Sequence, residues 1–341
     1  MIPVPQTILA ALSASYGATA ESVAHFAGGG PEGDGVIYAY PYGRGRRLLK
    51  VMVMPAAESL RGLHRLEERL RFVHYLGENG ARIVYPLPSP QGNLYEAVSD
   101  DEHLWVAYAM ELAPGQTPAH DGWDEAFIRA WGQAIGGLHR LAQGYPTWRS
   151  STDPITGDPC LTWQEEWVGF RDWCQDGDVR QAWGALGEEL DALPVTRDSF
   201  GFIHNDPHIW NLRAEGNRVT LLDFDVSNHH WFMTDIGVAL QSVLIFLTGG
   251  LHGPLRDHRS LLAFLRLFVE GYERENHLTA EWWNRLDLFI AYRRILLFIA
   301  MNDWARSQPG LLASWREMIL TRPDVAGPAW YPEGGGEIYG R

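Results

Sequence analysis

The chain has 341 residues, enough for about two domains that each bury a full hydrophobic core. Hydrophobic residues make up 46% and charged residues 21% of the chain, a balance that excludes a disordered or fibrous protein. The formal net charge is −14, and a surface this negative repels phosphate backbones, so we expect no nucleic-acid partner.

Cysteine content and hydropathy predict a cytoplasmic protein with no membrane segment. Cys160 and Cys174 are too few for a disulfide framework and fit a reducing compartment. The amino terminus lacks the cationic start of a signal peptide. The longest apolar run, residues 236–251, contains polar interruptions and is shorter than the ~20 residues that a membrane-spanning helix needs.

The first third of the chain predicts a small β-sheet that carries one helix. Short runs of apolar and β-branched residues, separated by turn residues, indicate the strands. These strands cover residues 36–40, 48–53, 94–98 and 104–110. Residues 56–78 carry apolar side chains three and four positions apart, from Leu63 to Val73, which is the spacing of an amphipathic helix.

Helical periodicity dominates after residue 115. The predicted helices cover residues 127–141, 234–247, 261–275 and 281–304, and short strands cover residues 200–203 and 219–222. We therefore predict an α+β fold with a small N-terminal antiparallel β-sheet lobe over residues 1–111 and a larger, mainly helical lobe over residues 112–321. Residues 322–341, rich in Gly and Pro, predict an irregular tail. A cleft between lobes is a favoured place for a ligand.

Lys50 is the single lysine of the chain, which has 27 arginines. In a sequence that uses arginine almost everywhere, the remaining lysine is expected where a compact ammonium group is needed and a planar guanidinium does not fit. The alternative is a lysine that survived by chance on the surface. Lys50 lies within the predicted strand 48–53, which places it on a regular element.

The densest cluster of polar side chains follows the two short strands of the helical lobe. Residues 204–211 have the sequence HNDPHIWN, and residues 222–225 have the sequence LDFD. Loops that follow buried strands are common places for catalytic side chains. A His-x-Asp, an Asn five residues beyond the Asp, and then a strand that ends in Asp-Phe is the order found in phosphoryl-transfer catalytic loops.

Phosphoryl transfer explains why these residue types occur in this order. An aspartate, here Asp206, accepts the proton of the attacking hydroxyl. The amide of Asn211 and the carboxylate of Asp223 can hold Mg²⁺ against the phosphates of ATP. The ammonium group of Lys50 can reach the phosphates from another wall of the site. Together these parts are specific for phosphoryl transfer, although none is specific by itself.

These motifs resemble those of the aminoglycoside phosphotransferase and choline kinase superfamily, the small-molecule relatives of protein kinases. The resemblance runs from about residue 20 to residue 305, and its best-matched segments are HNDPHIWN, LLDFDVSNHHWFMTDIGVAL, LLKV and IGGLHRLA. It implies a two-lobed, protein-kinase-like fold with an N-terminal nucleotide-binding lobe. It also implies ATP- and Mg²⁺-dependent phosphorylation of a hydroxyl on a small molecule.

Matching positions imply a role for each residue of the catalytic loops. Asp206 would be the catalytic base, His204 would brace its loop, and Asp235 would be a structural aspartate that steadies the same loop. The implied magnesium ligands are Asn211, Asp223 and Asp225, the last of which replaces the glycine that follows Asp-Phe in protein kinases. Asn205 stands where the family usually has glycine, a change that asparagine tolerates because it adopts unusual loop dihedrals.

The resemblance also implies a nucleotide site. Lys50 would contact the phosphates of ATP, and Glu67 of the predicted helix would orient the lysine, with Glu68 on the opposite side as the alternative. The backbone of Glu111 and Leu112, where the lobes join, would hold adenine unless this stretch is a plain linker. The glycine-rich segment 28–35 lies where a phosphate-covering hairpin is expected, although a surface turn explains it equally well.

Three other functions remain possible at this point. His204, Asp206, His208, Asp223, His229 and His230 could ligate zinc or iron in a His/Asp metal-dependent hydrolase. The chain could bind nucleotide without catalysis, although its base, metal ligands and lysine are all present. It could also be a protein serine/threonine kinase of the same superfamily.

The acceptor is the least determined part of the prediction. Carboxylates of the helical lobe could attract a cationic aminoglycoside, choline or amino alcohol, or could form a solvated acidic face. These residues are Asp121, Asp124, Glu125, Glu165, Glu166, Asp172, Asp176 and Asp178. Tryptophans such as Trp163, Trp282 and Trp283 could form an aromatic wall for a sugar or a quaternary amine, or could be core. A homoserine-like acceptor is also compatible with the sequence.

Overall fold

A computed structural model describes residues 3–31, 35–251, 255 and 257–331. The chain divides into two units. The first comprises the described residues of Met1–Pro114, Ser151–Pro159 and Leu222–Asp225, and the second comprises those of Gly115–Ser150, Cys160–Leu221 and Val226–Arg341. The two later segments of the first unit were not predicted from the sequence, and the last of them places Asp223 and Asp225 in the same unit as Lys50.

The first unit is built on a six-stranded antiparallel sheet. Its elements are α1 (Gln6–Ala14), β1 (Ala24–Gly30), β2 (Gly35–Tyr42), β3 (Gly45–Pro55), α2 (Ser59–Glu78), β4 (Pro86–Leu87), β5 (Glu96–Ser99), β6 (His103–Glu111) and β7 (Ser151–Thr152), with β8 (Pro159–Cys160) at the start of the second unit. The strand order is β1-β2-β3-β6-β4, and β5 also pairs with β6. The predicted strands and helix are confirmed as β2, β3, β5, β6 and α2 with shifted ends, whereas α1, β1, β4 and β7 were missed.

Alternation along β3 decides which of its side chains enter each face of the sheet. Leu49 and Val51 pack with residues of α1 in one apolar cluster, whereas Tyr108 of β6 packs with residues of α2 in another. Lys50 lies between Leu49 and Val51 and is the register partner of Tyr108. Because neighbouring strand residues point to opposite faces, Lys50 shares the face of Tyr108.

The second unit is mainly helical. Its elements are α3 (Glu125–Gly144), α4 (Trp163–Trp173), α5 (Gly177–Asp191), β9 (Phe200–Ile203), β10 (Leu212–Glu215), β11 (Arg218–Leu221), β12 (Asn228–Trp231), α6 (Phe232–Thr248), α7 (His258–Tyr272), α8 (Ala280–Trp283), α9 (Leu286–Ala300), α10 (Asn302–Arg306) and α11 (Pro309–Thr321). The strands pair as antiparallel β9–β12 and β10–β11. None of the helices in the described part of the chain combines the length and apolar character that a membrane crossing requires.

Three of the four long helices predicted for this unit are confirmed as α3, α6 and α7, and the fourth prediction is wrong. Residues 281–304 form α8, α9 and α10 in place of one helix. Asn284 ends α8 and exchanges two 3.0 Å hydrogen bonds with the backbone of Tyr331. Asparagine competes for backbone partners outside a helix, and this long-range contact is invisible to helical periodicity.

Helices α3 and α7 pack with their backbones almost in contact. A Cβ atom at Gly271 would lie 1.9 Å from the carbonyl oxygen of Arg129, and one at Gly132 would lie 2.0 Å from that of Phe268. Glycine at these positions therefore sets the distance between the helices.

The described part of the tail, residues 322–331, contains no helix or strand but is held to α9. The Asp287 carboxylate accepts the backbone N–H groups of Val325, Ala326 and Gly327 at 3.0, 3.0 and 2.8 Å. The rest of the predicted tail, residues 332–341, lies outside the described residues.

Candidate active site

Lys50 in β3 has its side chain buried beside two carboxylates. The residue is 4% exposed, its Nζ contacts Oδ2 of Asp225, and it lies 3.8 Å from Oδ1 of Asp223. Burial removes water from the ammonium group, and nearby opposite charges are needed to offset the free-energy cost of that desolvation. Lys50 therefore lies beside the acidic segment 222–225, and its contact with the phosphates of a nucleotide stays a prediction.

Tyr108 joins this group from the neighbouring strand and was missed by the sequence analysis. It pairs in register with Lys50, and its hydroxyl donates to Oδ1 of Asp225 at 3.4 Å. Burial raises the pKa of Tyr108 well above its ordinary value, so the hydroxyl keeps its proton and remains a donor. The only sequence signal for Tyr108 was its place in a predicted strand.

Helix α2 does not supply the carboxylate expected to orient Lys50. Oε1 of Glu67 lies 2.5 Å from the guanidinium of Arg71, one turn along the same helix, and Glu68 accepts a hydrogen bond from a serine hydroxyl at 3.0 Å. Within the described part of the chain, Lys50 pairs with the two aspartates instead, so the predicted Lys50–Glu67 pair is wrong. Arg71 lies four residues after Glu67 on α2, a spacing at which two side chains of a helix meet, so Glu67 finds its partner within its own helix.

Glu111 and Leu112, predicted to hold adenine through their backbone groups, lie at the end of β6. The Glu111 side chain accepts a hydrogen bond from Nε of Arg47, its register partner, at 2.9 Å. Leu112 follows the strand and is 42% exposed. The Glu111 carboxylate is thus engaged on the sheet, and adenine binding by backbone groups of this stretch stays a prediction.

The glycine-rich segment 28–35 forms part of the β1–β2 hairpin, in which Gly30 pairs with Gly35. A Cβ at Gly28 would lie 2.3 Å from the Gly35 carbonyl oxygen, so close strand approach already requires glycine here. Residues 32–34 lie outside the described residues, and a contact of this segment with phosphate stays a prediction.

Asp235 in α6 braces the loop that follows β9. Its Oδ1 accepts the backbone N–H of Asn205 at 2.6 Å, and its Oδ2 accepts that of His204 at 3.1 Å. Nε2 of His139, from the IGGLHRLA segment, lies 3.0 Å from the same Oδ2. Burial lowers the pKa of His139, so the neutral ring can donate one N–H to the carboxylate. The predicted role of Asp235 is confirmed.

Asn205 adopts the left-handed conformation that explains glycine at this position in the family. Its φ is +69°, a region that asparagine enters more readily than most residues. Its Nδ2 donates to Glu166, which also accepts hydrogen bonds from Asn228 at 3.1 Å and from the Tyr292 hydroxyl at 2.7 Å. Burial raises the pKa of Glu166. Asparagine therefore keeps the backbone conformation and adds a polar network.

Asp206 is held by three groups while its carboxylate keeps access to solvent. Arg293 of α9 donates to Oδ1, Nδ2 of Asn211 lies 3.4 Å from Oδ2, and Nε2 of His208 lies 3.4 Å from the same oxygen. The Asp206 side chain is 24% exposed and that of Arg293 is 13% exposed. These contacts fix the orientation of the carboxylate. Arg293 had no signal in the sequence, because it lies 87 positions later in an apolar helix.

Each unit carries oxygen donors of the kind that a hard divalent cation prefers. Asp223 and Asp225 share the ammonium group of Lys50, so their carboxylates lie close together in the first unit. Nδ2 of Asn211 donates to the Asp206 carbonyl at 3.1 Å, which leaves the amide oxygen for another partner. Magnesium is commonly bound by one or two carboxylates together with water and phosphate oxygens, and the two carboxylates of the first unit match that chemistry. A role for these three residues as magnesium ligands stays a prediction.

The histidines do not assemble a transition-metal centre. The ring nitrogens of His229 lie 2.8 and 2.6 Å from the carbonyl oxygens of Leu161 and Thr147, and Nδ1 of His230 lies 2.6 Å from the Thr234 hydroxyl. Among the residues that the structure describes, no three His, Cys, Asp or Glu side chains group as metal ligands. The site required by the hydrolase alternative is therefore not formed by these residues.

Most of the acidic residues considered as a cation-attracting surface have structural partners. Asp124 and Asp176 cap the N-termini of α3 and α5, and Glu165 accepts the backbone N–H of Leu161 at 2.7 Å. Other members form ion pairs with arginine: Glu125, Asp172, Asp176 and Asp178. Among these described acids, Glu166 alone joins the hydrogen-bond network of the Asp206 loop. The number of acidic residues in this unit is therefore a weak guide to whether the acceptor is a cation.

Comparison with known proteins identifies a family. The profile of a family described as "Phosphotransferase enzyme family" matches residues 42–283. An amicoumacin kinase of Bacillus subtilis (strain 168) is 26% identical over 260 residues, which cover 73% of this chain and 75% of that protein.

Solved structures show the same fold. An amicoumacin kinase in complex with AMP-PNP, Ca²⁺ and Ami aligns with a TM-score of 0.74 and 22% identity over 89% of this chain and 90% of that one. A microcompartment-associated aminopropanol kinase aligns with a TM-score of 0.64 and 17% identity over 93% of this chain and 94% of that one. The predicted α+β, protein-kinase-like fold is confirmed.

Proposed function

Because the chain belongs to the phosphotransferase enzyme family, we propose that it transfers the γ-phosphoryl group of ATP to a hydroxyl of a small molecule, with Asp206 as the catalytic base. The observation that carries this assignment is the Asp206 loop itself. Asp235 fixes its backbone and Arg293, Asn211 and His208 surround the carboxylate. A positioned carboxylate of this kind can orient an incoming hydroxyl and accept its proton.

Lys50 is proposed to grip the phosphates of the nucleotide. Its buried ammonium group is a compact donor, and the carboxylates beside it hold it in place. Asp223, Asp225 and Asn211 are proposed to hold Mg²⁺, which would neutralise phosphate charge when bound. Backbone groups of Glu111 and Leu112 are proposed to bind adenine. The complex of a related kinase with AMP-PNP and Ca²⁺ supports ATP together with a divalent cation.

The acceptor is proposed to be a small molecule that carries a hydroxyl and an amine. Support comes from the names of two similar proteins, an amicoumacin kinase and an aminopropanol kinase. A protein serine or threonine remains the second candidate acceptor by resemblance to the wider superfamily. An ATP-consumption screen against amicoumacin, amino alcohols, aminoglycosides and a generic protein substrate separates the two.

Asp206→Asn tests the catalytic assignment. The variant removes the proton acceptor at nearly constant size, so turnover should fall about 10²- to 10⁴-fold while ATP affinity changes little. Asp172→Asn is the matched control, because Asp172 is 65% exposed and pairs only with the neighbouring Arg171 among its described contacts. Turnover by Asp206→Asn within tenfold of the wild type would contradict the role of Asp206, provided that Asp172→Asn behaves as the wild type.

A further inference from the structure

Four rings form a continuous surface on the second unit, which we call the aromatic shelf: His120, Trp123, Trp210 and Phe246. Phe246 lies at its centre. It stacks on His120 with ring centroids 5.0 Å apart and 7° between planes, meets Trp123 edge-on at 5.0 Å, and lies 6.0 Å from Trp210. Ring pairs at these separations are in contact.

The shelf is exposed, unlike the tryptophans that the sequence analysis considered as an aromatic wall. Trp210 is 48% exposed and Phe246 is 37% exposed, whereas Trp163, Trp282 and Trp283 are buried in the core. Single exposed apolar side chains are ordinary, but a connected group of large rings on a surface commonly marks a binding site. The shelf is therefore a candidate binding surface.

The shelf is continuous with Asp206. Trp210 immediately precedes Asn211 in a 3₁₀ turn, and its indole meets the His208 imidazole at 5.5 Å with a 72° interplanar angle. Nε2 of that imidazole lies 3.4 Å from Oδ2 of Asp206. A single imidazole ring thus separates the proposed catalytic base from the first ring of the shelf.

The shelf is also held by the core. Trp123 contacts Phe127 at 6.4 Å and the fully buried Trp131 at 6.5 Å, and both of these belong to α3. Phe246 belongs to α6, the helix whose Asp235 braces the Asp206 loop. A surface fixed in this way loses little side-chain freedom when a ligand binds, which favours affinity.

We propose that the aromatic shelf binds a planar aromatic ring of the acceptor, so that Trp210 and Phe246 select acceptors that carry such a ring near the reacting hydroxyl. The proposal rests on the proposed function, because a hydroxyl held at Asp206 leaves the rest of the acceptor to extend past His208 onto Trp210. The rings supply face and edge contacts for an aromatic group. A cationic acceptor group or a second copy of the chain are the competing occupants.

Two acceptors that differ only at one substituent test the proposal. 1-Amino-2-propanol and 2-amino-1-phenylethanol share a hydroxyl and an amine, but the second carries a phenyl group in place of a methyl group. The wild type should use the phenyl compound with a kcat/KM about 3- to 10-fold higher, the size expected for an aromatic pair. Trp210→Ala and Phe246→Ala should remove this preference mainly through KM, and Trp210→Phe should keep part of it.

Trp304→Ala is the matched control, because Trp304 is 47% exposed in α10 and lies outside the shelf. It should keep the phenyl preference. Equal kcat/KM for both compounds in the wild type would overturn the proposal, as would equal losses for both compounds in Trp210→Ala, which would indicate a cation site. A change of molecular mass in Trp210→Ala would indicate a contact between copies and would also overturn it.

Ligand-observed NMR separates this proposal from the proposed function, because it needs no turnover. Saturation transfer from the wild-type protein to the phenyl protons of 2-amino-1-phenylethanol, measured without ATP, should be lost in Trp210→Ala and kept in Trp304→Ala. Transfer to the ring without phosphorylation of either compound would support the shelf and contradict the proposed acceptor class. Phosphorylation of both compounds without transfer to the ring would support the proposed acceptor class and contradict the shelf.

Discussion

Replacement of Lys50 by methionine should have opposite effects on metal binding and on turnover. The lysine ammonium neutralises the carboxylates that are proposed to hold the divalent cation, so in the absence of nucleotide it competes with that cation. Lys50→Met removes the competition and also removes the proposed contact with the phosphates of ATP. The free protein should therefore bind a divalent cation more tightly, while ATP-dependent turnover should be lost.

The size of the first effect follows from the geometry. At the 3.8 Å separation of Nζ and Oδ1 of Asp223, the Coulomb attraction is about 4 kcal/mol at an effective dielectric constant of 20. Asp223 is 46% exposed, so solvent screening reduces this to about 1 kcal/mol. Asp225 is closer and less exposed. We expect divalent-cation affinity to rise about 5- to 10-fold in the variant.

Paramagnetic resonance of Mn²⁺, used as a probe of the magnesium site without nucleotide, measures this affinity. Arg71→Met is the matched control, because it removes one positive charge that pairs with Glu67 on α2 and should leave Mn²⁺ affinity unchanged. Turnover by Lys50→Met should fall at least 10-fold, since a hydrogen bond to a charged group contributes about 1.5–3 kcal/mol. Unchanged Mn²⁺ affinity in a folded Lys50→Met protein would refute the reasoning.

Lys50→Arg separates charge from shape. The lysine stem is closely packed, since a Cβ at Gly35 would lie 3.0 Å from its Cε. The guanidinium keeps the positive charge but has a planar fork that cannot replace a point-charge contact with phosphate. Turnover should therefore fall about as far as in Lys50→Met, whereas Mn²⁺ affinity should not rise.

Three further predictions concern the second unit. Arg293→Met should lower kcat about 10-fold or more with little change in the KM for ATP, because the charged partner that orients Asp206 is lost. Arg293→Lys should recover part of the lost kcat, and steady-state kinetics measure kcat and KM for each variant. Burial lowers the pKa of His230 from 6.5 to about 3, so its contribution to stability is complete above pH 6.5 and is lost as the pH falls toward 3. His230 therefore accounts for about 2 kcal/mol of the free energy of unfolding that the wild type loses between pH 7 and pH 5. Urea unfolding at the two pH values should show that this loss is about 2 kcal/mol smaller in His230→Phe. Gly271→Ala should lower the melting temperature by several degrees, since its Cβ would lie 1.9 Å from a backbone oxygen of α3, whereas Gly169→Ala, with open space around it in α4, should not.

The sequence by itself determined which chemical groups the loop with Asp206 carries. Asp206 and Asn211 lie in one eight-residue segment whose spacing is a local property, and the structure brings the Asn211 amide to within 3.4 Å of the Asp206 carboxylate. Asn205 was expected to adopt an unusual backbone conformation in place of glycine, and its φ of +69° agrees with that expectation. The place of Lys50 in a β-strand was also predicted, and the structure confirms it as part of β3.

Only the tertiary structure decided which side chains surround these groups. Periodicity favoured Glu67 as the partner of Lys50, but the ammonium contacts Asp225, which lies 175 positions away, and Glu67 turns to Arg71 on its own helix. Arg293 reaches Asp206 from α9, and four rings from separate elements meet beside His208 to form the aromatic shelf. Local patterns specify backbone conformation and the chemical groups in each segment. Contacts across such distances depend on how helices and strands pack, and no local pattern contains that information.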